Sequence, residues 1–394
     1  MANSGLIVHA GPHARKNCPV TVKLPQKAGK QPRAVTLTTD SGAKLVGQVC
    51  APHPFGCGCG ADAGVRIAFV LPDLPAGGSL RLTAELTDKA PAADAVTVSD
   101  DKAGQVHVKV GGDLLTTYRY TGNPARPCFF PVLGPGGTRV TRSWPITDDV
   151  PGETTDHHHH RSLWVAHGDV NRTDNWSEGA NHAFQLHREI LAAESGPVLG
   201  RLAASTDWTD VKQNKVIEEK RALTAYAVPG DMRIFDFEVC FTATECDVRF
   251  GDTKEGGILA FRVAPAMDGD HGGRIENAFG GVGEAESWGK RAHWCDYAGE
   301  IGGERLGIAV FDHPSSFRHP TYWHVRDYGM YTANPFGWHD FYADPAADGS
   351  HLLPRGASLD FRYRVYLHQG GTDEAQVAAR YHDFAYPPRV EVVA

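Results

Sequence analysis

Apolar and polar residues alternate in short runs along much of the chain: VTVKLP, AVTLTT, VRIAFVLP, LRLTAEL, AVTVSD, QVHVKV, DVRFGD, ILAFRVA, LGIAVF and LDFRYRVYLH. Successive side chains of a strand point to opposite faces, so this period of two predicts half-buried β-strands. Gly, Pro, Asn and Asp separate the runs, as turns between antiparallel neighbours require. One segment reads as a helix: TDEAQVAARYHDFA near the C-terminus, with Thr372 as a cap-like residue, Glu374 after it and Ala-rich helical spacing. The pattern predicts an all-β protein of antiparallel sheets.

At 394 residues the chain is too long for one ordinary core. The stretch LTDKAPAADAVTVSDDKAG is rich in Ala, Asp, Lys and Pro between two β-like regions, which places a domain break near residue 93. Residues 1–93 are expected to form a compact N-terminal β-sandwich. Residues 94–394 are expected to form a larger sandwich of antiparallel sheets that carries the site.

Composition narrows the function. A net charge of −8 with no clustered Lys or Arg excludes a nucleic-acid footprint and suits a small polar substrate. The N-terminal stretch lacks the features of a secretory signal, and no apolar run approaches the roughly 18 residues that cross a bilayer, so a cytoplasmic protein without a membrane role is expected. The eight Cys are scattered and expected to be free thiols. Cys50, Cys57 and Cys59 form the one tight group; a metal there would need His53 or a distant residue as fourth ligand, and HPFGCGCGAD reads first as a Gly-rich loop. The 20 His are the compositional oddity, because imidazole suits both proton transfer near neutral pH and metal binding.

Their positions give two main constellations. The first is DHHHHRSLWVAHGDVN, from Asp156 to Asn171, followed by Asp174 and Trp176. If the run is strand-like, His157 and His159 share one face and His158 and His160 the other. A strand end with solvated histidines is the plain alternative, but four His followed by Arg161, His167, Asp169 and Asn171 make an expensive way to build a core. The second runs from Phe311 to His339. Here Asp312, His313, Arg318, His319, His324 and Arg326 supply acid, base and anion-binding groups, interleaved with Trp323, Tyr328, Tyr331, Phe336 and Trp338. Rings beside imidazoles and guanidiniums suit a sugar, although a lid or a subunit interface would use the same residues. A third group, Lys254 with Glu255 and then Lys290, His293, Trp294 and Asp296, gains meaning only by converging with the others; singly these are surface ion pairs.

The chain has no GxGxxG after a strand, GxxxxGK[ST], HExxH or GxSxG, so dinucleotide, phosphate-loop, zincin and serine-hydrolase chemistry receive no support. The H-x-H pairs leave a metal open, with Asp156, His167 or Asp169 as a third ligand.

These stretches, with RPCFFPVLGPGGTRVTRSWP, FGDTKEGGILAFRV and WGKRAHWCDYAG, resemble a bacterial family known as PmoA-like, over most of residues 110 to 370. The family name comes from a membrane-spanning methane monooxygenase subunit, and this sequence has no segment to span with, so that activity is rejected. The resemblance implies a β-supersandwich of the sugar mutarotase and glycosidase kind, encoded near sugar oxidoreductases, and hence a carbohydrate substrate. The family pattern matches Asp156, His157, His159, His160, Arg161, Trp164, His167, Gly168, Asp169 and Asn171. It often has Pro at the position of His158, which discounts that residue. It has a Tyr-rich stretch where this chain has Cys128, Phe129 and Phe130, so a tyrosine hydroxyl at 128 or 130 is not essential.

The expectation is therefore an enzyme that cleaves or isomerises a sugar or glycoside, a keto-sugar among the candidates, by histidine acid/base chemistry. His159 or His160 and His319 or His324 would move protons, with Lys254 as another base. Asp312 and Asp169 would orient the imidazoles, Arg318 and Arg326 would hold a carboxylate or keto oxygen, and Trp176 and Trp323 would stack on the ring. His157, Arg161, His167, Asn171, Glu255 and His313 complete the substrate contacts. No cofactor is expected. A divalent metal on the His cluster and a non-catalytic sugar-binding protein are the alternatives, and a homo-oligomer is left open. The two constellations are expected to meet in one cleft.

Overall fold

The computed structural model describes residues 3–25, 32–55, 64–122, 125–148 and 150–393. Cys57 and Cys59 lie outside the described residues; of their group, Cys50 donates its thiol to Gln48 O, and His53 Nε2 bonds Glu238 Oε2 at 2.8 Å.

Three large antiparallel sheets hold the chain. A seven-stranded N-terminal sheet runs in the order Cys18–Leu24, Val65–Leu71, Lys44–Val49, Ala34–Thr39, Ser79–Thr87, Asn3–His9 and Arg389–Val393. Its alternate residues, among them Leu6, Val8, Val20, Leu37, Ile67 and Leu82, form one apolar cluster. The last strand comes from the C-terminus and pairs with the first, Ile7 opposite Glu391.

A nine-stranded sheet follows the order Lys290–Arg291, Tyr322–Val325, Met330–Ala333, Gly256–Arg262, Leu163–His167, Cys128–Val132, Asp113–Arg119, Gln105–Val110 and Val96–Asp100. An eight-stranded sheet follows Gln185–Glu194, Leu199–Thr209, Lys215–Tyr226, Met232–Thr242, Ser358–Gln369, Glu304–Asp312, Trp294–Ile301 and Arg274–Asn277. Inward residues of both sheets, such as Val108, Phe129 and Phe261 from one and Leu223, Phe237 and Val365 from the other, share a single core. This is a large β-sandwich with a smaller β unit attached, the expected fold class. Each of the ten alternating runs overlaps a strand.

Local chemistry explains the longest hairpin. Asp210 Oδ1 accepts the N–H groups of Lys212 and Asn214 at 2.8 and 2.9 Å, closing the turn between Leu199–Thr209 and Lys215–Tyr226. The helix is Val377–Ala385 and starts at Gln376, later than the capping pattern predicts. Thr372 cannot cap it, because its hydroxyl is spent on Asp296 Oδ2 at 2.8 Å and Glu276 Oε1 at 3.0 Å.

The two outer faces of the sandwich are covered differently. The helix, through Val377, Tyr381 and Phe384, packs over Phe311 and Tyr366 of the eight-stranded sheet, in a cluster that also takes in Ala68 of the N-terminal sheet. Over the nine-stranded sheet lie two irregular segments, the described residues of 139–148 with 150–162 and those of 170–184, and between them and the strands Cys128, Trp164, Ala166, Trp176, Ala260 and Met330 form a small cluster.

Candidate functional site

The first segment is fastened to the sheet by its backbone and by carboxylates. Arg142 N–H donates to Arg262 O, and Arg262 N–H to Ser162 O. Glu153 accepts the N–H groups of Ser143 and Trp144 at 2.7 and 2.8 Å. The histidine run is a tight turn rather than a strand: His157 has a φ of 47°, and His160 N–H donates to His157 O at 2.9 Å. The predicted alternation of faces therefore does not hold. The physical reason is that a turn collects all four side chains at one spot without asking a sheet to bury any polar face.

Asp156 sits at the centre. Arg142 Nη1 reaches its Oδ1 at 2.5 Å, Arg262 Nη2 bonds both oxygens at 2.9 and 3.1 Å, and His157 Nδ1 meets Oδ2 at 2.5 Å. Burial would raise its pKa, but Arg262, the His157 hydrogen bond and Arg142 outweigh it and hold the carboxyl well below the usual carboxylate range. An ionised Asp156 only accepts, so His157 donates from Nδ1, and in the neutral ring Nε2 carries the lone pair; its side chain is 42% exposed.

His160 has the opposite polarity. It is 0% exposed, and Arg262 Nη1 lies 3.1 Å from its Nδ1. A guanidinium only donates, so Nδ1 accepts. Burial first, then His159 and Arg262, hold the imidazole well below its ordinary pKa, so it is neutral and its proton is on Nε2. The rings of His157 and His160 are parallel within 9° at 4.8 Å, and Tyr328 stacks on His157 at 5.1 Å and 4°. An acceptor and a donor imidazole thus lie face to face.

Behind them, His159 is 4.5 Å from His160 ring to ring, Trp176 is 5.7 Å from His160, and Trp164 is 5.3 Å from it. Burial pushes the His159 pKa down to about 3. His159 Nδ1, His160 Nε2, Trp164 Nε1 and Trp176 Nε1 are all buried with no hydrogen-bond partner among the described residues. Each such group costs roughly 1–3 kcal/mol when unsatisfied, so four in one cluster point to a polar ligand. At the cluster's flank Arg161 bonds Glu178 through Nε at 2.8 Å and Nη2 at 2.6 Å. Burial raises Glu178, but Arg161 and Arg126 overcome that and keep it below the usual range.

The second constellation divides. Its far end reaches this site: Tyr328 lies under the Arg262 guanidinium at 4.7 Å, and Arg326, paired with Glu284 at 2.8 Å, lies 5.8 Å from the same ring. Lys254 is 3.6 Å from Glu255 and 3.9 Å from Asp340. His324 is buried, donates Nδ1–H to Lys254 O at 2.7 Å and is pushed down to about 4 by burial. Its near end does not: Asp312, His313 and His319 share no hydrogen bond, ion pair or ring contact with the Asp156 group among the described residues. Asp312 bonds His319, and His313 bonds Ser315 Oγ at 2.7 Å. The strand Tyr322–Val325 connects the two ends in sequence, and among the described residues no contact joins them into the single cleft expected from both constellations.

Of six expected contacts, five are structural instead and the sixth, Trp176, keeps only one polar group. Trp323 is 1% exposed in the core and donates Nε1–H to Ala292 O, so neither face is open to a sugar. Trp176 is equally buried, which leaves it only its indole N–H. His167 is enclosed by Phe250 and Phe336, with Nε2 on Gly251 O at 2.9 Å. Asp169 accepts from Arg172 N–H and Arg249, and Asn171 ties Arg249 N to Asp247 O, so both hold loops and orient no imidazole. Arg318 is spent on the carbonyls of Pro335, Gly349 and Ser350 over the Trp338 ring.

The site residues that the patterns missed are Arg142, Glu178 and Arg262; Asp156 and Tyr328 stood in the two constellations, one as a possible metal ligand and the other as a ring beside the polar groups. Arg262 had a visible signal, an arginine inside the apolar run ILAFRVA. Among the described residues, no three His, Cys, Asp or Glu are placed to hold a metal together, and no helix is long and apolar enough to cross a membrane.

Among solved structures the chain is similar to a protein in the glycosyl hydrolase family 38 from Enterococcus faecalis, with a TM-score of 0.43 and 9% identity over 100% of this chain and 47% of that one. An α-mannosidase from Enterococcus faecalis V583 gives 0.44 and 9%, over 100% and 46%, and an α-galactosidase from Lactobacillus brevis gives 0.35 and 8%, over 74% and 42%. The chain spans about half the length of the first two. No curated protein matches it. The family model that matches residues 105–382 is not PmoA-like, which corrects the resemblance drawn from the motifs: the chain belongs to the family of unknown function DUF6807.

Proposed function

We propose that the outer face of the nine-stranded sheet binds a sugar or glycoside and acts on it by imidazole proton transfer. The observation that carries the reading is the pair of stacked imidazoles of opposite polarity, His157 with a lone pair fixed by Asp156 and His160 with a buried N–H fixed by Arg262. His157 Nε2 is the base; His160 Nε2–H and the indole N–H groups of Trp164 and Trp176 donate to ligand oxygens.

The carboxylates favour one kind of chemistry. Hydrolysis by a carboxyl pair needs one of them protonated near neutral pH. Asp156 and Glu178 are both held as anions by arginines, so neither serves as that acid. Proton abstraction beside a carbonyl, leading to isomerisation or elimination of a keto-sugar, asks only for a base and a donor to the developing oxyanion, and both are present.

The test incubates the full chain with free hexoses, alkyl and aryl glycosides and their keto forms in deuterium oxide. Wild type is expected to exchange the hydrogen beside the carbonyl of at least one keto-sugar and to release an isomer or eliminated product, read by NMR and mass spectrometry. Folded His157→Ala is expected to lose both. Exchange by H157A at the wild-type rate, or saturable sugar binding by wild type with no exchange and no product, refutes the reading; the second outcome leaves a binding protein.

A further inference from the structure

A second group of titratable side chains, apart from the first, forms a continuous chain of hydrogen bonds. Asp312 ends the strand Glu304–Asp312 and is 0% exposed. Its Oδ2 accepts Thr321 N–H at 2.9 Å and meets His319 Nδ1 at 2.8 Å. His319 Nε2 in turn lies 3.1 Å from His293 Nδ1. With Asp312 ionised, His319 carries its proton on Nδ1, its Nε2 accepts from His293 Nδ1–H, and His293 Nε2 is left with a lone pair.

The end of the chain is open. His293 is half-buried, stacked on Tyr381 of the helix at 5.6 Å and flanked at 5.3 Å by Phe279, a ring 66% exposed. An apolar ring at the surface beside a fixed lone pair offers a ligand a platform and a base. Burial and the neighbouring His319 hold His293 below its ordinary pKa, so it stays neutral and able to accept. Burial raises Asp312 despite its hydrogen bonds from His319 and Thr321, which readies the inner end to receive a proton.

We infer that Asp312, His319 and His293 form a second proton-transfer site, in which His293 Nε2 deprotonates a hydroxyl-bearing ligand whose apolar face rests on Phe279. The ligand's O–H bond breaks and its electron pair stays on the oxygen as an N–H bond forms at His293 Nε2. The Nδ1 proton of His293 passes to His319 Nε2, and that of His319 Nδ1 to Asp312 Oδ2; reprotonation of the ligand reverses the sequence. His293 touches the ligand, whereas His319 and Asp312 act through it. This site stands independently of the sugar reading.

The probe is p-nitrophenol, a hydroxyl compound with an apolar ring whose anion is coloured, titrated into the full chain just below the phenol's own pKa. A saturable rise in phenolate absorbance is expected with wild type and with His157→Ala. It falls about tenfold or more in His319→Gln and Asp312→Asn, the order of a lost general base, and vanishes in His293→Ala. Imidazole nitrogen NMR of wild type, which needs no variant, is expected to find the proton of His293 on Nδ1. No phenolate rise in wild type, an equal rise in folded H293A, or a His293 proton on Nε2 overturns the inference.

Discussion

Asp156 concentrates the chemistry of the candidate site in one carboxylate. Two guanidiniums hold it as an anion, and that charge fixes the tautomer of His157. Asp156→Asn keeps the shape and removes the charge, so turnover of any confirmed sugar substrate is expected to fall by about 100-fold or more, read as kcat on folded protein. The same residue has a pH signature. Its folded pKa is depressed, so its contribution to stability is present above the unfolded carboxylate value of about 4 and is lost as pH falls through the folded value. Urea midpoints of wild type and D156N should therefore differ at neutral pH and converge in acid. The turn at His157 explains why this arrangement was hard to read from the chain: a run of four His carries no mark that separates a turn from a strand, and Arg142 and Arg262 come from stretches remote in sequence.

At the scale of elements, the strand Lys215–Tyr226 departs most from simple patterning. Glu219 and Arg221 stand among the inward positions, with Ile217 and Leu223 on either side, at 0% and 1% exposure. They pair at 2.5 Å, and Trp208 Nε1 donates to Glu219 at 2.6 Å. KVIEEKRALTAY reads as a charged surface or a helix, because nothing local announces that two charges will neutralise each other inside a sandwich. Arg221→Met strands the carboxylate and is expected to cost about 3–5 kcal/mol in urea unfolding, while the double change Glu219→Leu with Arg221→Met should cost less than either single change. Close approach of two elements gives a second prediction. A Cβ on Gly299 would lie 2.5 Å from Met267 Cα and 2.6 Å from Met267 O, backbone that cannot swing away. Gly299→Ala is expected to lower stability by about 1–3 kcal/mol, measured as a lower thermal midpoint.

The whole molecule stores an acid sensitivity in its histidines. His159 is pushed down to about 3, and His167, His187, His313 and His324 to about 4, in each case first by burial; His160 is also held well below its ordinary value, first by burial. In the unfolded chain these imidazoles take up protons below about pH 6.5, while the folded chain keeps them neutral. The unfolded state then binds more protons, so stability should fall as pH drops from about 6.5 toward 4, with the urea midpoint and proton uptake on unfolding measured together. Two histidines work in the opposite sense and are outnumbered by these six: His368, which Asp296 raises against its burial, and His271, raised by Asp268. The alternating runs by themselves determined the all-β class and the antiparallel sheets, because a period of two is set by the pleat wherever the strand sits. The histidine run and its polar neighbours raised the expectation of a site there, because burying polar groups is costly unless they find partners. Tertiary structure alone decided that Asp156, Arg142, Arg262 and Tyr328 assemble around His157 and His160, that Trp323 and His167 are core, and that Asp312 and His319 join His293 elsewhere. Those outcomes depend on which strands become neighbours, a matter of long-range pairing that no local stretch of residues encodes.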